Sequence, residues 1–129
     1  VNHATGAVTG RGMLFFEIVG DGTPGTSDLV VPNTVPDALA LISTPATVPA
    51  PLAGTEPLLT LMGLTQVNAT QTGADLKLSV KFISGDHSSI LDPSGDAAVT
   101  TELQTQMASF LAADGNALPV ANAAVIQAP

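Results

Sequence analysis

Two stretches of the chain carry apolar residues in patterns that are typical of β-strands. Residues 13–20 form a short, nearly continuous apolar run that ends at a glycine, which indicates a strand buried on both faces of a parallel sheet. Residues 76–83 alternate instead, with Leu and Val against Lys and Ser, which predicts a strand with one wetter face. The segment "AAVIQ" near the C-terminus predicts a further short strand.

The clearest helix is predicted between the glycines at positions 95 and 115. Apolar side chains recur there at helical spacing along one face: Val99, Leu103, Met107, Phe110 and Leu111. Ser94 or Asp96 can cap the start of this helix, and Gly115 can stop it. We expect the apolar face to pack against the sheet.

The stretch between the two predicted strands is irregular. A loop rich in Gly, Pro, Ser and Asp, "DGTPGTSD", follows the first strand, and five prolines between positions 32 and 51 exclude a long helix. Short helices are predicted at "PDALALIS" and at "TEPLLTLMGL". The order of elements therefore predicts an α/β fold with parallel strands joined by helical or irregular crossovers.

Composition narrows the classes of function. The 129 residues suit one domain or part of one, and a formal net charge of −8 makes nucleic-acid binding unfavourable. The absence of cysteine excludes disulfides, thiolate metal sites and cysteine nucleophiles. No apolar run approaches the roughly 18 residues of a membrane span. The first residues, "VNHATGAVTG", do not resemble a signal peptide, so a fragment of a longer protein is expected.

Candidate catalytic residues lie on the two loops that follow the predicted strands. Asp21 and Asp28 are on the first loop, and Asp86, His87 and Asp92 are on the second. Reactive groups of open α/β sheets gather at the carboxyl ends of the strands. An acid after one strand and a histidine after the next is also the order of the last two members of an α/β-hydrolase triad. In such a triad the imidazole takes a proton from a serine, and the carboxylate fixes its tautomer.

Three segments together, "SDLVVPN", "PLAGTEPLLTLMGL" and "GDHSSILDPSGDAAVTTELQTQMASFL", resemble the C-terminal part of bacterial extracellular, virulence-factor-type lipases of the α/β-hydrolase superfamily. The resemblance covers most of the chain, from about residue 13 to 127. It implies that residues 1–129 are the C-terminal portion of one α/β-hydrolase domain with an incomplete sheet. It also implies that Asp28 is the triad acid and His87 the general base.

The serine nucleophile does not carry over from the resemblance. These lipases place it in an upstream Gly-x-Ser-x-Gly turn, and no such pentapeptide occurs in the chain. The isolated chain is therefore expected to be inactive. Ser88 and Ser89 lie beside His87, but a neighbour on a tight turn rarely points at the imidazole.

The sequence also bears on the remaining aspartates, on the binding partner and on the location of the protein. Asp21 competes with Asp28 as the triad acid, whereas Asp86 and Asp92 are expected to bond backbone N–H groups of the turn. The expected partner is a lipid ester bound by the parent protein, with no cofactor, no metal and no nucleic acid. The expected location is secreted or on the bacterial outer-membrane surface.

An incomplete sheet would expose an edge. We expect this edge to be covered by self-association, by a swapped dimer or by the missing N-terminal half. The alternative function is a non-catalytic extracellular binding or interaction module.

Overall fold

A computed structural model of the chain describes residues 11–21, Leu59 and residues 61–129. The strands in these residues are β1 (Met13–Ile18), β2 (Thr65–Gln66), β3 (Gln71–Thr72), β4 (Lys77–Phe82) and β5 (Ala117–Leu118). The α-helix α1 spans Ala97–Ala112, and a 3₁₀ turn spans Ala123–Val125.

The main sheet has the strand order β1-β4-β2, with β4 parallel to both neighbours. β1 and β4 pair along their whole length, from Met13 opposite Lys77 to Ile18 opposite Phe82. β3 and β5 form a separate antiparallel pair. Mixed helix with parallel strands confirms the α/β class that the sequence predicts.

The C-terminal segment completes the pairing of β4. Ile126 forms an isolated antiparallel bridge with Phe82, and the backbone N–H of Ile83 donates to the carbonyl of Val125 at 3.1 Å. The strand predicted at residues 123–127 is wrong over its first half, which is the 3₁₀ turn. The side chain of Asn122 accepts a hydrogen bond from the N–H of Ala124 and so favours a turn over an extended backbone.

Helix α1 has the predicted span but not the predicted buried face. Val99, Leu103 and Phe110 pack with the sheet, whereas Met107 is 37% and Leu111 72% exposed. Their places inside are taken by polar side chains: Glu102 and Gln106 are 2% and 0% exposed. A hydrogen bond of 2.7 Å from Gln106 Nε2 to Glu102 Oε1 satisfies part of this buried pair.

The prediction that one face of β4 is wetter is also wrong. Ser79 and Lys81, which alternate with the apolar core residues of this strand, are 2% and 6% exposed. In the neighbouring strand Glu17 is 5% exposed, although residues 14–16 are only half-buried. Both faces of the sheet are therefore covered at the carboxyl ends of β1 and β4.

The helix predicted around Pro36 lies outside the described residues, as does most of the one predicted at residues 55–64. Its end is described: Leu59 and Leu61 are helical, and the N–H of Leu64 donates to the carbonyl of Leu59 at 3.0 Å. Gly63 has a φ of +72°, so this is a glycine-terminated helix end. Within the described part of the chain, no helix has the length and apolar character to cross a membrane.

Candidate functional site

The loops that follow β1 and β4 leave the sheet at the same edge. The pairing continues one step past β1, because the N–H of Val19 donates to the carbonyl of Phe82 at 2.8 Å. Asp21 is exposed just beyond this point, and His87 is exposed on the loop that follows β4. Asp28 lies outside the described residues, so its predicted pairing with His87 stays a prediction.

The loop that carries His87 is closed at its base by a side-chain hydrogen bond. Ser84 Oγ donates to Asp96 Oδ2 at 2.6 Å, which joins the end of β4 to the start of α1. The other oxygen, Asp96 Oδ1, accepts from the N–H groups of Ala98 at 2.9 Å and Val99 at 3.2 Å. Asp96 is therefore the N-cap of α1. It is one of the two residues, Ser94 and Asp96, that were predicted to cap this helix.

A tight turn centred on Asp86 supports His87 from within the loop. Asp86 Oδ1 accepts from the N–H of Ser88 at 2.8 Å and from its hydroxyl at 2.7 Å. The N–H of Asp86 donates to Ser89 Oγ at 2.7 Å. Asp92 plays a similar part farther on, since its Oδ1 accepts from the N–H of Ser94 at 2.9 Å. Both aspartates thus bond backbone N–H groups, as predicted.

The two serines beside His87 are both engaged with Asp86. Ser89 is fully buried, and its hydroxyl lies 3.2 Å from Asp86 Oδ1. The Ser88 hydroxyl donates to the same oxygen. Neither hydroxyl is therefore offered as a nucleophile in this arrangement.

The carboxylates of the loop are stabilised in their charged form. The hydroxyl and then the N–H of Ser88 lower the pKa of Asp86 below its ordinary value. The hydroxyl of Ser84, followed by the N–H of Val99, lowers the pKa of Asp96. Carboxylates with lowered pKa values are weak bases, so both act here as hydrogen-bond acceptors rather than as proton-transfer groups.

Helix α1 holds the outer part of the loop. Gln104 Nε2 donates to the carbonyl of Ile90 at 2.9 Å, and Thr100 Oγ1 lies 3.2 Å from the carbonyl of Asp92. Within the loop the N–H groups of Leu91 and Asp92 both donate to the carbonyl of Ser88. His87 therefore stands on a loop that is bonded at its base, its centre and its far side.

Glycines allow the close packing of this loop. Gly85 has a φ of +108°, and a β-carbon there would lie 2.8 Å from Ser89 Oγ. A β-carbon at Gly95 would lie 2.7 Å from Asp86 Oδ2. The sequence predicted the turn but not the bond between Ser84 and Asp96. The only features of the sequence that point to this bond are a hydroxyl residue at the end of the strand and a carboxylate residue that can cap the helix.

Among the described residues, no group of three or more His, Cys, Asp or Glu side chains could hold a metal ion. Comparison of the chain with protein-family models, with curated proteins and with solved structures finds no match.

Proposed function

We propose that this chain is the catalytic C-terminal part of a secreted or surface-located lipase. In this proposal His87 is the general base of a Ser-His-Asp triad, Asp28 is the acid, and the parent protein supplies the serine. The observation that carries the proposal is the position of His87. It is exposed on a hydrogen-bonded loop at the carboxyl end of β4. The neighbouring parallel strand, β1, leads to the loop that carries Asp21 and Asp28.

The proposed reaction is acyl transfer from a lipid ester to the serine and then to water. The imidazole of His87 takes the serine proton while the hydroxyl oxygen attacks the ester carbonyl. It then gives that proton to the departing alcohol, which leaves an acyl-enzyme. A water molecule attacks this intermediate by the same proton transfers in reverse, and the fatty acid is released.

The acid of the triad is Asp28 in this proposal, with Asp21 as the competing residue. Both follow β1, and Asp21 is the one nearer to the strand end. Asp28→Asn in the parent lipase should lower kcat about 10⁴-fold because the imidazole then adopts the wrong tautomer. Asp21→Asn should leave kcat within a few-fold. The reverse result would assign the acid to Asp21.

The main experiment measures ester hydrolysis by the parent protein, with a short-chain and a long-chain lipid ester. His87→Ala should reduce kcat about 10⁴-fold or more while the circular dichroism spectrum stays unchanged. His3→Ala is the matched control, since it removes the other histidine of the chain. Undiminished turnover by His87→Ala would remove His87 from the mechanism and favour a non-catalytic module.

Sequencing upstream of Val1 separates these two functions at little cost. An in-frame Gly-x-Ser-x-Gly segment supports the lipase, because this segment carries the nucleophile on a strand-to-helix turn. A stop codon directly upstream would contradict it. We also propose that the N-terminal half, or a second copy of the chain, covers an outer strand of the described sheet, β1 or β2.

A further inference from the structure

We propose that Asp96 is a positioning residue for His87, and that it acts through Ser84. The catalytic meaning of this inference rests on the proposed function, but the geometry that motivates it does not. Asp96 joins the two ends of the loop: Ser84 is the second residue after β4, and Asp96 directly precedes α1. His87 lies on the turn between these two points.

The two oxygens of Asp96 have separate partners. Oδ1 accepts the N–H groups of Ala98 and Val99 at the helix start, and Oδ2 accepts the hydroxyl of Ser84. A helix cap needs only one side-chain oxygen, which serine or asparagine also provides. The second oxygen therefore does something that capping does not require, and it can be tested without removing the cap.

A second contact links the same point to the turn beside His87. Gly95, the neighbour of Asp96, packs so closely on Asp86 that a β-carbon there would lie 2.7 Å from the Asp86 carboxylate. Asp86 in turn bonds Ser88 and Ser89 on the other side of His87. A shift of Asp96 would therefore move both the base of the loop and the turn that presents the imidazole.

The strand end itself is firmly placed, so the loop has a fixed starting point. Phe82 has β1 on one side and Ile126 on the other, and the N–H of Ile83 bonds the carbonyl of Val125. The bond from Ser84 to Asp96 is the contact at the base of the loop, between this strand end and His87. A general base must lie within about 3 Å of its proton donor, and a displacement of about 1 Å can cost about 10²-fold in rate.

Three substitutions separate the bond from the cap. Ser84→Ala removes the bond and leaves the cap intact. Asp96→Ser keeps a capping oxygen but is too short to reach Ser84. Asp96→Asn keeps both functions, because its amide can cap with the oxygen and bond Ser84 with the nitrogen. The matched control is Thr101→Ala, which deletes an exposed hydrogen bond of 2.8 Å to the carbonyl of Ala97 in the same helical turn.

The first measurement is nuclear magnetic resonance on this chain with His3→Gln as the background, so that His87 is its sole imidazole. Ser84→Ala and Asp96→Ser should lower the backbone order parameters of residues 85–89 from about 0.85 to below about 0.6. Asp96→Asn and Thr101→Ala should leave them unchanged. Unaltered order at residues 85–89 in both Ser84→Ala and Asp96→Ser would overturn the inference.

The second measurement is turnover by the parent lipase, counted per titrated active site. Ser84→Ala and Asp96→Ser should lower kcat about 10- to 100-fold with KM nearly unchanged, and Asp96→Asn should retain most of kcat. If the loss of activity disappears once turnover is divided by the number of titrated active sites, the role of the bond is structural only. That result would also overturn the inference.

The two failures are distinguishable. Turnover that survives His87→Ala ends the proposed function, whereas the order parameters still decide whether Asp96 holds the loop. Turnover lost in His87→Ala but unchanged in Ser84→Ala and Asp96→Ser ends the positioning role and leaves the triad.

Discussion

Glu17 of β1 and Lys81 of β4 are register partners in neighbouring parallel strands, and they are 5% and 6% exposed. Register partners direct their side chains to the same face of a sheet. This face is the one opposite to Ile18 and Phe82, which belong to the core that packs on α1. A residue of each sign is therefore buried side by side in the sheet.

The free energy of unfolding should depend on these two residues jointly. Lys81→Met or Glu17→Leu alone should lower it by about 3–5 kcal/mol, because the remaining charge stays buried. The double substitution should cost clearly less than the sum of the two single ones. Urea unfolding of the four proteins measures this coupling, and additive losses would show that the two charges do not interact.

Glu102 should stabilise the C-terminal segment from within the helix. Its Oε1 and Oε2 accept the N–H groups of Ala121 at 3.1 Å and Asn122 at 2.9 Å, in addition to the amide of Gln106. Glu102→Ala would leave the buried amide of Gln106 and the two partly buried backbone N–H groups without this acceptor, so the free energy of unfolding should fall by about 1–3 kcal/mol.

Hydrogen exchange locates the effect of that substitution. The amides of Ala121 and Asn122 should lose their protection in Glu102→Ala, while those of β4 change much less. Thr105→Ala, an exposed position on the same helix, is the control and should change neither quantity appreciably. Equal loss of protection along the whole sheet would contradict a local effect.

Two adjacent apolar residues near the end of α1 should respond very differently to truncation. Phe110 is 7% exposed and packs in the core, whereas Leu111 is 72% exposed. Phe110→Ala should cost about 3–5 kcal/mol, because it leaves a cavity. Leu111→Ala should stay within about 0.5 kcal/mol. Thermal or urea unfolding compares the two, and similar losses would contradict the buried face described here.

Acid should destabilise the loop that carries His87. The pKa values of Asp86 and Asp96 are lowered in the folded chain, whereas the pKa of an unfolded aspartate is about 3.9. Their stabilising contribution is therefore complete above about pH 4 and is lost as the pH falls through the lower folded values. Urea unfolding between pH 7 and pH 2.5 should show this decline.

Ser84→Ala tests the cause of that decline. The hydrogen bond from the hydroxyl of Ser84 is the largest cause of the lowered pKa of Asp96, so removal of this hydroxyl should raise that pKa. The free energy of unfolding should then depend less steeply on pH. Thr101→Ala should leave the slope unchanged. A slope that is equally steep in Ser84→Ala would show that Asp96 does not contribute to it.

The sequence predicted the elements that positional periodicity defines. β4 and α1 were found from the spacing of apolar residues, β1 from a nearly continuous apolar run, and Asp96 from the residue types that cap helices. The parallel pairing of β1 with β4 followed from the order of elements, because a long crossover favours parallel neighbours. The site of His87, on the loop beyond β4, followed from the same order.

Periodicity could not predict which polar residues are buried. Met107 and Leu111 were expected inside on hydropathy alone, but Glu102 and Gln106 are the buried residues. Glu102 accepts hydrogen bonds from the backbone of the C-terminal segment, and Gln106 bonds Glu102. The backbone partners of Glu102 lie about 20 positions away in the chain, at residues 121 and 122, which no local pattern can indicate. The bond from Ser84 to Asp96 escaped prediction for the same reason, and the pairing of Asp28 with His87 stays a prediction.

The parallel pairing of β1 with β4 also means that β1 is synthesised well before the strand with which it pairs. Met13 leaves the ribosome about sixty residues before its partner Lys77, and translation at about 5–20 residues per second delays that partner by about 3–13 seconds. During this interval the nascent β1 has no β4 to pair with, so its apolar side chains are open to chaperones.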